Sequence, residues 1–236
     1  MYDMRRILGK IYAHNITQDS IHGVGNYSDA DLAYLIRTGI TNKGKYIPFM
    51  LRPNIADEDL NNIIAFLRSD NEEVQPKDTT VGKTSYSLIG KLGFAVINNK
   101  PLPYRTGISK PAQNDRIKTG KYLVDILGCF HCHSSNLARI NYLEPEKTKG
   151  YMQGGFKMRG LDGEKFKASN LTSDSTTGIG AYSSSEFLHA VKTGIAKHDR
   201  VLRYPMRIYS DLPDEQVEAI YAYLRTLKPV HNKTRN

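Results

Sequence analysis

The stretch Cys129-Phe130-His131-Cys132-His133 decides how this chain is interpreted, because it holds the only two cysteines among 236 residues. Two thiols three positions apart, followed directly by a histidine, form the Cys-x-x-Cys-His pattern that is typical of covalent haem attachment. Within one helical turn, both sulfurs can add to vinyl groups of one porphyrin, and the next imidazole lies within reach of the iron. The motif therefore predicts a haem c bound through Cys129 and Cys132, with His133 as an iron ligand.

Two other uses of a Cys-x-x-Cys pair stay open at the level of sequence. A thiol redox pair usually lies beside a strand of a βαβ unit, and no such unit is visible in this chain. A structural zinc site usually needs four ligands, and completing one with His131 and His133 would place every donor within five residues. Neither use explains the histidine that directly follows the second cysteine, so haem attachment is the favoured interpretation.

An electron-carrying haem normally has a second axial ligand, which is often methionine. Met206 lies beside Pro205 between two helix-like segments, and the proline keeps that stretch out of helix. Met152 and Met158, in the glycine-rich stretch 150–163, are the alternative ligands, and any single methionine can instead be a core side chain. We predict Met206 as the ligand because an internal repeat singles it out.

The chain contains two copies of one pattern, which is the signature of related domains in tandem. The copies match at offsets of 155 to 157 residues, and such small drift is typical of short loop insertions. The matched pairs are 15–19 with 170–174, 23–28 with 178–183, 37–40 with 192–195, Met50 with Met206, and 63–68 with 220–225. Met50 and Met206 are therefore predicted to occupy equivalent positions.

The first copy has no counterpart of the haem motif. An offset of 155 from Cys129 would place that motif about 26 residues before Met1. One interpretation is that the chain begins inside its first domain, after the attachment site, as a truncated or processed product. The other is that the first domain is degenerate and has lost its haem.

The order of these elements resembles the bacterial dihaem cytochromes c, which have two class I cytochrome c domains in tandem. The resemblance covers roughly 115–230, with Gly120 and Lys121 before the motif and Tyr204-Pro205-Met206 after it, and it extends partly over 10–69. It implies an all-α fold with a partial cytochrome c-like domain at 1–70 that lacks its own motif, a linker at 71–111 and a complete domain at 112–236.

The same resemblance implies the site residues. It makes His133 and Met206 the two axial ligands of the haem held by Cys129 and Cys132. It makes Met50 the distal ligand of a first haem, whose own attachment motif would have to lie upstream. A second haem therefore depends on a Cys-x-x-Cys-His that this chain does not contain.

Composition and net charge narrow the classes of partner that the protein is expected to bind. The chain is 39% hydrophobic with no tryptophan, and its longest apolar runs are far shorter than a membrane span; an anchor upstream stays open. Its net charge of +9 is scattered along the sequence without the basic stripe that nucleic-acid binding needs. For a redox carrier, such charge favours docking onto an acidic partner or an anionic membrane surface.

Helix signals mark five segments. Serine, aspartate or proline starts, first-turn acids and glycine stops predict helices over 28–38, 56–69 and 115–127 and helices that start at Ser183 and Pro213. The stretch 87–97 is predicted as a packed helix within the linker. No alternation of useful length predicts a strand.

The leading functional hypothesis is an electron-transfer cytochrome that makes and breaks no substrate bond. It would carry single electrons between a redox protein, such as a membrane-associated dehydrogenase or a quinol-oxidising partner, and a downstream acceptor. Because haem c is normally attached outside the cytoplasm, we expect a periplasmic or other extracytoplasmic protein whose signal peptide is absent from this chain. The alternatives are a haem enzyme, a peroxidase or small-molecule oxidase with an open iron position, and a non-redox interaction module.

Overall fold

The chain folds into two compact units in the computed structural model, Asp3–Ser109 and Lys110–Asn236, which we call the N-terminal and C-terminal units. The residues described are 9–10, 12–47, 50–79, 82, 84–88, 91–92, 102–112, 114–135, 140–160 and 163–234.

Helices dominate both units, and the predicted all-α fold class is confirmed. The N-terminal unit has α1 (Asp29–Thr38) and α2 (Asp57–Leu67); the C-terminal unit has α3 (Arg116–Leu127), α4 (Cys129–His133), a 3-10 turn (Pro145–Lys147), α5 (Ser184–Thr193) and α6 (Asp214–Thr226). The described strands form three antiparallel pairs: β1 (Gly9–Lys10) with β2 (Ser85–Tyr86), β3 (Lys157–Arg159) with β4 (Lys165–Lys167), and β5 (Ile195–Ala196) with β6 (Arg200–Val201). These strands are too short for the alternation rule to detect from sequence.

The helix ends follow from local sequence chemistry. Ser28 and Ser183 are the N-caps of α1 and α5, and in both cases the serine and the acid three residues later form a capping box. Such a box satisfies backbone N–H groups that the first helical turn leaves open. Gly39 and Gly194 end the same helices at φ of 72° and 77°, a conformation that glycine adopts without strain.

The other predicted helices agree with α2, α3 and α6 to within one or two residues, as helix ends generally do. One detail was wrong: Pro213 is the N-cap of α6 rather than its first helical residue. The helix predicted over 87–97 lies largely outside the described residues. Within the described part of the chain, no helix combines the length and apolar composition needed to cross a bilayer.

The sequence repeat is also a structural repeat. A Cβ atom on Gly23 would lie 2.2 Å from the carbonyl oxygen of Thr17, and one on Gly178 would lie 2.2 Å from that of Thr172. Both loops are thus wound so tightly that any side chain at the glycine would collide with backbone. The two units therefore share a loop conformation as well as the capped helix that follows it.

The C-terminal unit is built on the crossing of α3 with α6. At Gly120 a Cβ atom would lie only 1.9 Å from the carbonyl oxygen of Ala219, so the two helix backbones touch. Around this crossing lies an apolar core that includes Val124, Met152, Val217 and Leu224. Since α3 leads directly into α4, the crossing fixes the position of the haem motif.

The N-terminal unit buries a cation. The Arg37 side chain at the end of α1 is 1% exposed and forms an ion pair with Asp57 at the start of α2. The guanidinium carbon lies 5.7 Å from the ring centroid of Tyr104, and the Gly107 N–H donates to the Asp57 carboxylate at 2.8 Å. Residues 104–107, which fall within the predicted linker 71–111, therefore pack on the helices of this unit.

Candidate functional site

The two cysteines and His133 come together on the five-residue helix α4. Gly128 ends α3 in the left-handed region at φ 73° and donates its N–H to the carbonyls of Val124 and Asp125. The same glycine begins α4, so the chain turns sharply between the two helices. Cys129 and Cys132 are half-buried, and neither forms a disulfide. One helical turn thus presents two thiols and an imidazole together.

The imidazole of His133 is held by a single backbone group. Its Nδ1 lies 2.8 Å from the carbonyl oxygen of Ser169. Because a carbonyl can only accept, Nδ1 carries the proton and Nε2 keeps the lone pair that a metal requires. Burial lowers the pKa of His133, although the hydrogen bond to Ser169 works in the other direction. Burial therefore favours the neutral form of the ring, in which Nε2 is the nitrogen that could bind a metal.

The support of His133 comes from residues that the sequence did not single out. The Gly154 N–H donates to the His133 carbonyl at 2.7 Å, and Gly154 adopts φ 70° where a Cβ atom would lie 2.6 Å from the Ala168 carbonyl oxygen. Only glycine fits this close approach of residues 154 and 168–170. Since Ser169 acts through its backbone, no side-chain pattern could have identified it; the glycine-rich stretch was the one available signal.

His131 has a different environment from His133. Its Nδ1 lies 2.9 Å from the Gly128 carbonyl oxygen, and its ring stacks on Phe130 with centroids 4.4 Å apart. The ring centroid of Tyr142 lies 5.4 Å away. His131 thus packs in an aromatic cluster with Phe130 and Tyr142.

The structure gives no support to the two other uses of the cysteine pair, a thiol redox pair and a structural zinc site. Burial raises the pKa of the Cys132 thiol, whereas thiols that act as redox nucleophiles have lowered pKa values. Among the described residues, no group of three or more histidine, cysteine, aspartate or glutamate side chains is arranged to hold a metal ion. The described side chains therefore do not form the four-ligand set of structural zinc.

The methionines fall into different environments. Met206 is half-buried in a turn where its N–H donates to the Arg203 carbonyl at 3.0 Å. Met152 is 0% exposed within the apolar core, and Met158 is 7% exposed in strand β3. Met50, in the N-terminal unit, is 44% exposed. The structure brings Cys129, Cys132 and His133 together, and the ligand roles of Met206 and Met50 stay predictions.

A buried polar cluster lies one turn before the motif. Asp125 on α3 is 9% exposed and accepts from Lys121 Nζ at 3.2 Å, while the same amine donates to Glu146 at 3.1 Å. Burial raises the pKa of Asp125 from 3.8 to about 6, and the nearby charge of Lys121 lowers it by a smaller amount. This carboxyl therefore titrates near neutrality, which a sequence pattern does not reveal.

The residues present fit a haem c. The group needs two thiols on one helical turn and a neutral imidazole whose Nε2 is the metal-binding nitrogen, and α4 with Ser169 provides these. Metal-ligating histidines commonly donate their other ring N–H to a backbone carbonyl, which fixes the tautomer and the ring orientation. His133 has this arrangement.

Comparison with known proteins gives relatives along almost the whole chain, although no protein-family profile matches it. The fructose dehydrogenase cytochrome subunit of Gluconobacter japonicus is 30% identical over 96% of this chain and 46% of that protein. The cytochrome c subunit of a quinone-dependent alcohol dehydrogenase of Gluconobacter oxydans is 26% identical over 97% and 49%. A dihaem c-type cytochrome of Cereibacter sphaeroides is 26% identical over 94% and 73%.

The chain spans about half the length of the first two of these relatives. The first is named as a cytochrome subunit, and the second and the Cereibacter protein are named as c-type cytochromes. These names agree with the Cys-x-x-Cys-His motif on α4, with the repeat and with the helical fold. The chain is therefore similar to cytochrome c subunits of bacterial dehydrogenases and to a dihaem c-type cytochrome.

Proposed function

We propose that this protein transfers single electrons through a haem bound covalently to Cys129 and Cys132. The observation that carries the proposal is the geometry of α4, where both thiols precede an imidazole whose Nδ1 is fixed by the Ser169 carbonyl at 2.8 Å. When bound, the haem supplies a metal that accepts and releases one electron. The protein's own residues hold the group, orient His133 and keep its ring neutral.

Met206 is the proposed second iron ligand. It lies in a turn rather than in the apolar core that surrounds Met152, and it is the repeat-related counterpart of Met50. Thioether ligation raises the reduction potential of a haem. With both axial positions taken by protein, the iron would have no open position for a substrate, which favours electron transfer over the haem-enzyme alternative.

A dehydrogenase is the proposed electron donor. The similar proteins include cytochrome subunits of fructose, alcohol and gluconate dehydrogenases, and a cytochrome subunit needs no substrate site of its own. We propose a periplasmic or other extracytoplasmic location, because that is where haem c is normally attached.

We also propose that the N-terminal unit is completed by an upstream helix that resembles α3. On α2, Ile63 is 40% exposed and Phe66 is 43% exposed, whereas their repeat counterparts Ile220 and Tyr223 are 5% and 6% exposed. In the C-terminal unit this face of α6 packs against α3. An upstream helix of that kind would bury the bare apolar face of α2 and would carry the attachment motif of a first haem, with Met50 as its distal ligand.

A set of matched methionine variants tests the electron-transfer proposal. Leucine nearly conserves the volume of methionine and costs little in packing, so Met206→Leu, Met152→Leu and Met158→Leu differ mainly in which thioether is removed. We expect only Met206→Leu to lower the reduction potential measured by potentiometric titration of the purified haem protein. A fall confined to Met152→Leu or Met158→Leu would assign the ligand to the glycine-rich stretch. Unchanged potentials in all three would exclude Met206, Met152 and Met158 as the ligand.

A further inference from the structure

The hairpin formed by β3 and β4 carries an unusual set of charges. Its register places Lys157 opposite Lys167 and Arg159 opposite Lys165. Because residues two apart in a strand share a face, all four cations project from the same side. Side chains directly opposite each other lie roughly 5 Å apart at Cβ, and like charges there are destabilising.

Among the described residues, no acidic side chain forms an ion pair with the three lysines of the hairpin, so their repulsion is not offset in this way. Lys157, Lys165 and Lys167 are exposed, and each lacks an ion pair with the described acids. Glu164 forms an ion pair with Arg203 at 2.9 Å, and Arg159 donates to the Gly163 carbonyl at 3.2 Å. Asp162 lies outside the described residues. A short hairpin is only marginally stable by itself, so like-charge pairs on it are a cost that a binding function would explain.

The hairpin lies against the turn that holds Met206. The opposite face of the hairpin pairs Met158 with Phe166, and the guanidinium carbon of Arg203 lies 5.8 Å from the Phe166 ring centroid. The Arg203 carbonyl in turn accepts the Met206 N–H at 3.0 Å. The hairpin would therefore lie between the Met206 segment and a partner bound to the cationic face.

Most of the net positive charge of the chain lies in the C-terminal unit. Residues 110–236 contain 20 lysines and arginines against 13 aspartates and glutamates, a net +7 of the +9 carried by the whole chain. Complementary charge speeds the encounter of two proteins and fixes their orientation. Electron-transfer complexes bury small interfaces. A face of four cations is therefore large enough to orient the partner in such a complex.

We propose that Lys157, Arg159, Lys165 and Lys167 form the docking face for an acidic redox protein, the electron donor or acceptor of this cytochrome. The inference rests on the proposed function, because it takes the Met206 turn as the neighbour of the haem. A protein partner is favoured over a lipid surface, because the proposed electron transfer requires a redox protein to bind this unit. Anionic lipid is therefore a competing outcome of the test.

The test compares two double charge reversals in the haem-loaded protein. Lys165→Glu with Lys167→Glu changes the hairpin, and Lys228→Glu with Lys233→Glu changes two exposed lysines near the C-terminus by the same net charge. The probe is a gold electrode coated with a carboxylate-terminated monolayer, which stands for an acidic protein face. Voltammetry measures the electron-transfer rate, and a quartz-crystal microbalance measures the adsorbed mass. Vesicles that contain phosphatidylglycerol provide the lipid arm.

At low salt we expect the hairpin variant to lose about tenfold in electron-transfer rate and adsorption, and the control to lose less than about twofold. The difference should vanish near 1 M salt, where screening acts within about 3 Å. Equal losses in both variants, or a loss confined to vesicle binding, would overturn the proposal. The absence of any voltammetric signal in the wild type would contradict the proposed function instead, and the adsorbed mass would still test the docking face.

Folding of the variants is checked separately. Lys165→Gln with Lys167→Gln removes the like-charge repulsion without reversing it, so this variant should melt at or above the wild-type temperature while still losing adsorption. A loss of adsorption accompanied by unfolding in this variant as well would show that the lysines are needed for structure and would overturn the docking assignment.

Discussion

Gly120→Ala tests the helix crossing that positions the haem motif. In an isolated helix this change is stabilising by about 1 kcal/mol, because alanine loses less backbone entropy than glycine. Here the new Cβ would lie 1.9 Å from the Ala219 carbonyl oxygen and 2.8 Å from Tyr223 Cβ. The colliding atom belongs to the backbone of α6, so relief requires the helices to move apart. Overpacking of this kind costs typically about 1 to 3 kcal/mol.

Because neither backbone can rotate away, we place the net loss at the upper end, about 3 kcal/mol. For a unit of this size that corresponds to a fall in melting temperature of roughly 10 °C. The assay is guanidinium unfolding of the haem-loaded protein, followed by far-ultraviolet circular dichroism. Thr119→Ala, the adjacent helix position, is the control and should change the free energy of unfolding by less than about 1 kcal/mol. A Gly120→Ala protein as stable as the wild type would refute the close crossing.

Two further predictions concern buried charged side chains. Arg37→Ala should cost about 1 to 3 kcal/mol of unfolding free energy, because the Arg37 side chain is 1% exposed although its partner Asp57 is 44% exposed. The repeat-related Lys192→Ala, whose side chain is 26% exposed, should cost under about 1 kcal/mol. Equal costs in urea unfolding would contradict the difference in burial. Because the folded-state pKa of Asp125 is raised from 3.8 to about 6, its contribution to stability is present below the lower value and is lost as pH rises through the higher one. Asp125→Asn should remove that loss, so its stability relative to wild type should grow by about 2 kcal/mol between pH 4 and pH 7. A pH-independent difference between the two proteins would show that this carboxyl is not the titrating group.

The sequence could predict whatever depends on neighbours along the chain. Ser28 and Gly39 mark the ends of α1 because capping is local. The Cys-x-x-Cys-His motif is contiguous, so the proximity of its two thiols and its last imidazole was predictable. The burial of Arg37 was not predictable, because it depends on Tyr104, which lies 67 residues further along the chain. The repeat predicted that Met50 and Met206 correspond, but it carries no information on how far each is buried.

Other features stayed beyond prediction for different reasons. Ser169 supports His133 through a backbone carbonyl, and any residue type supplies one. The cationic face of the β3 and β4 hairpin exists only through its register, which sets Lys157 against Lys167. In sequence these lysines are ten residues apart and look like ordinary surface charge.

The intact mass of the denatured protein tests the central claim most directly. After production in a periplasm with functional haem c maturation, we expect the chain to retain one haem mass under denaturing conditions, with no thiol of Cys129 or Cys132 left to alkylate. A chain that has its unmodified mass and two alkylatable thiols under the same conditions would contradict covalent haem attachment and, with it, the proposed electron-transfer function.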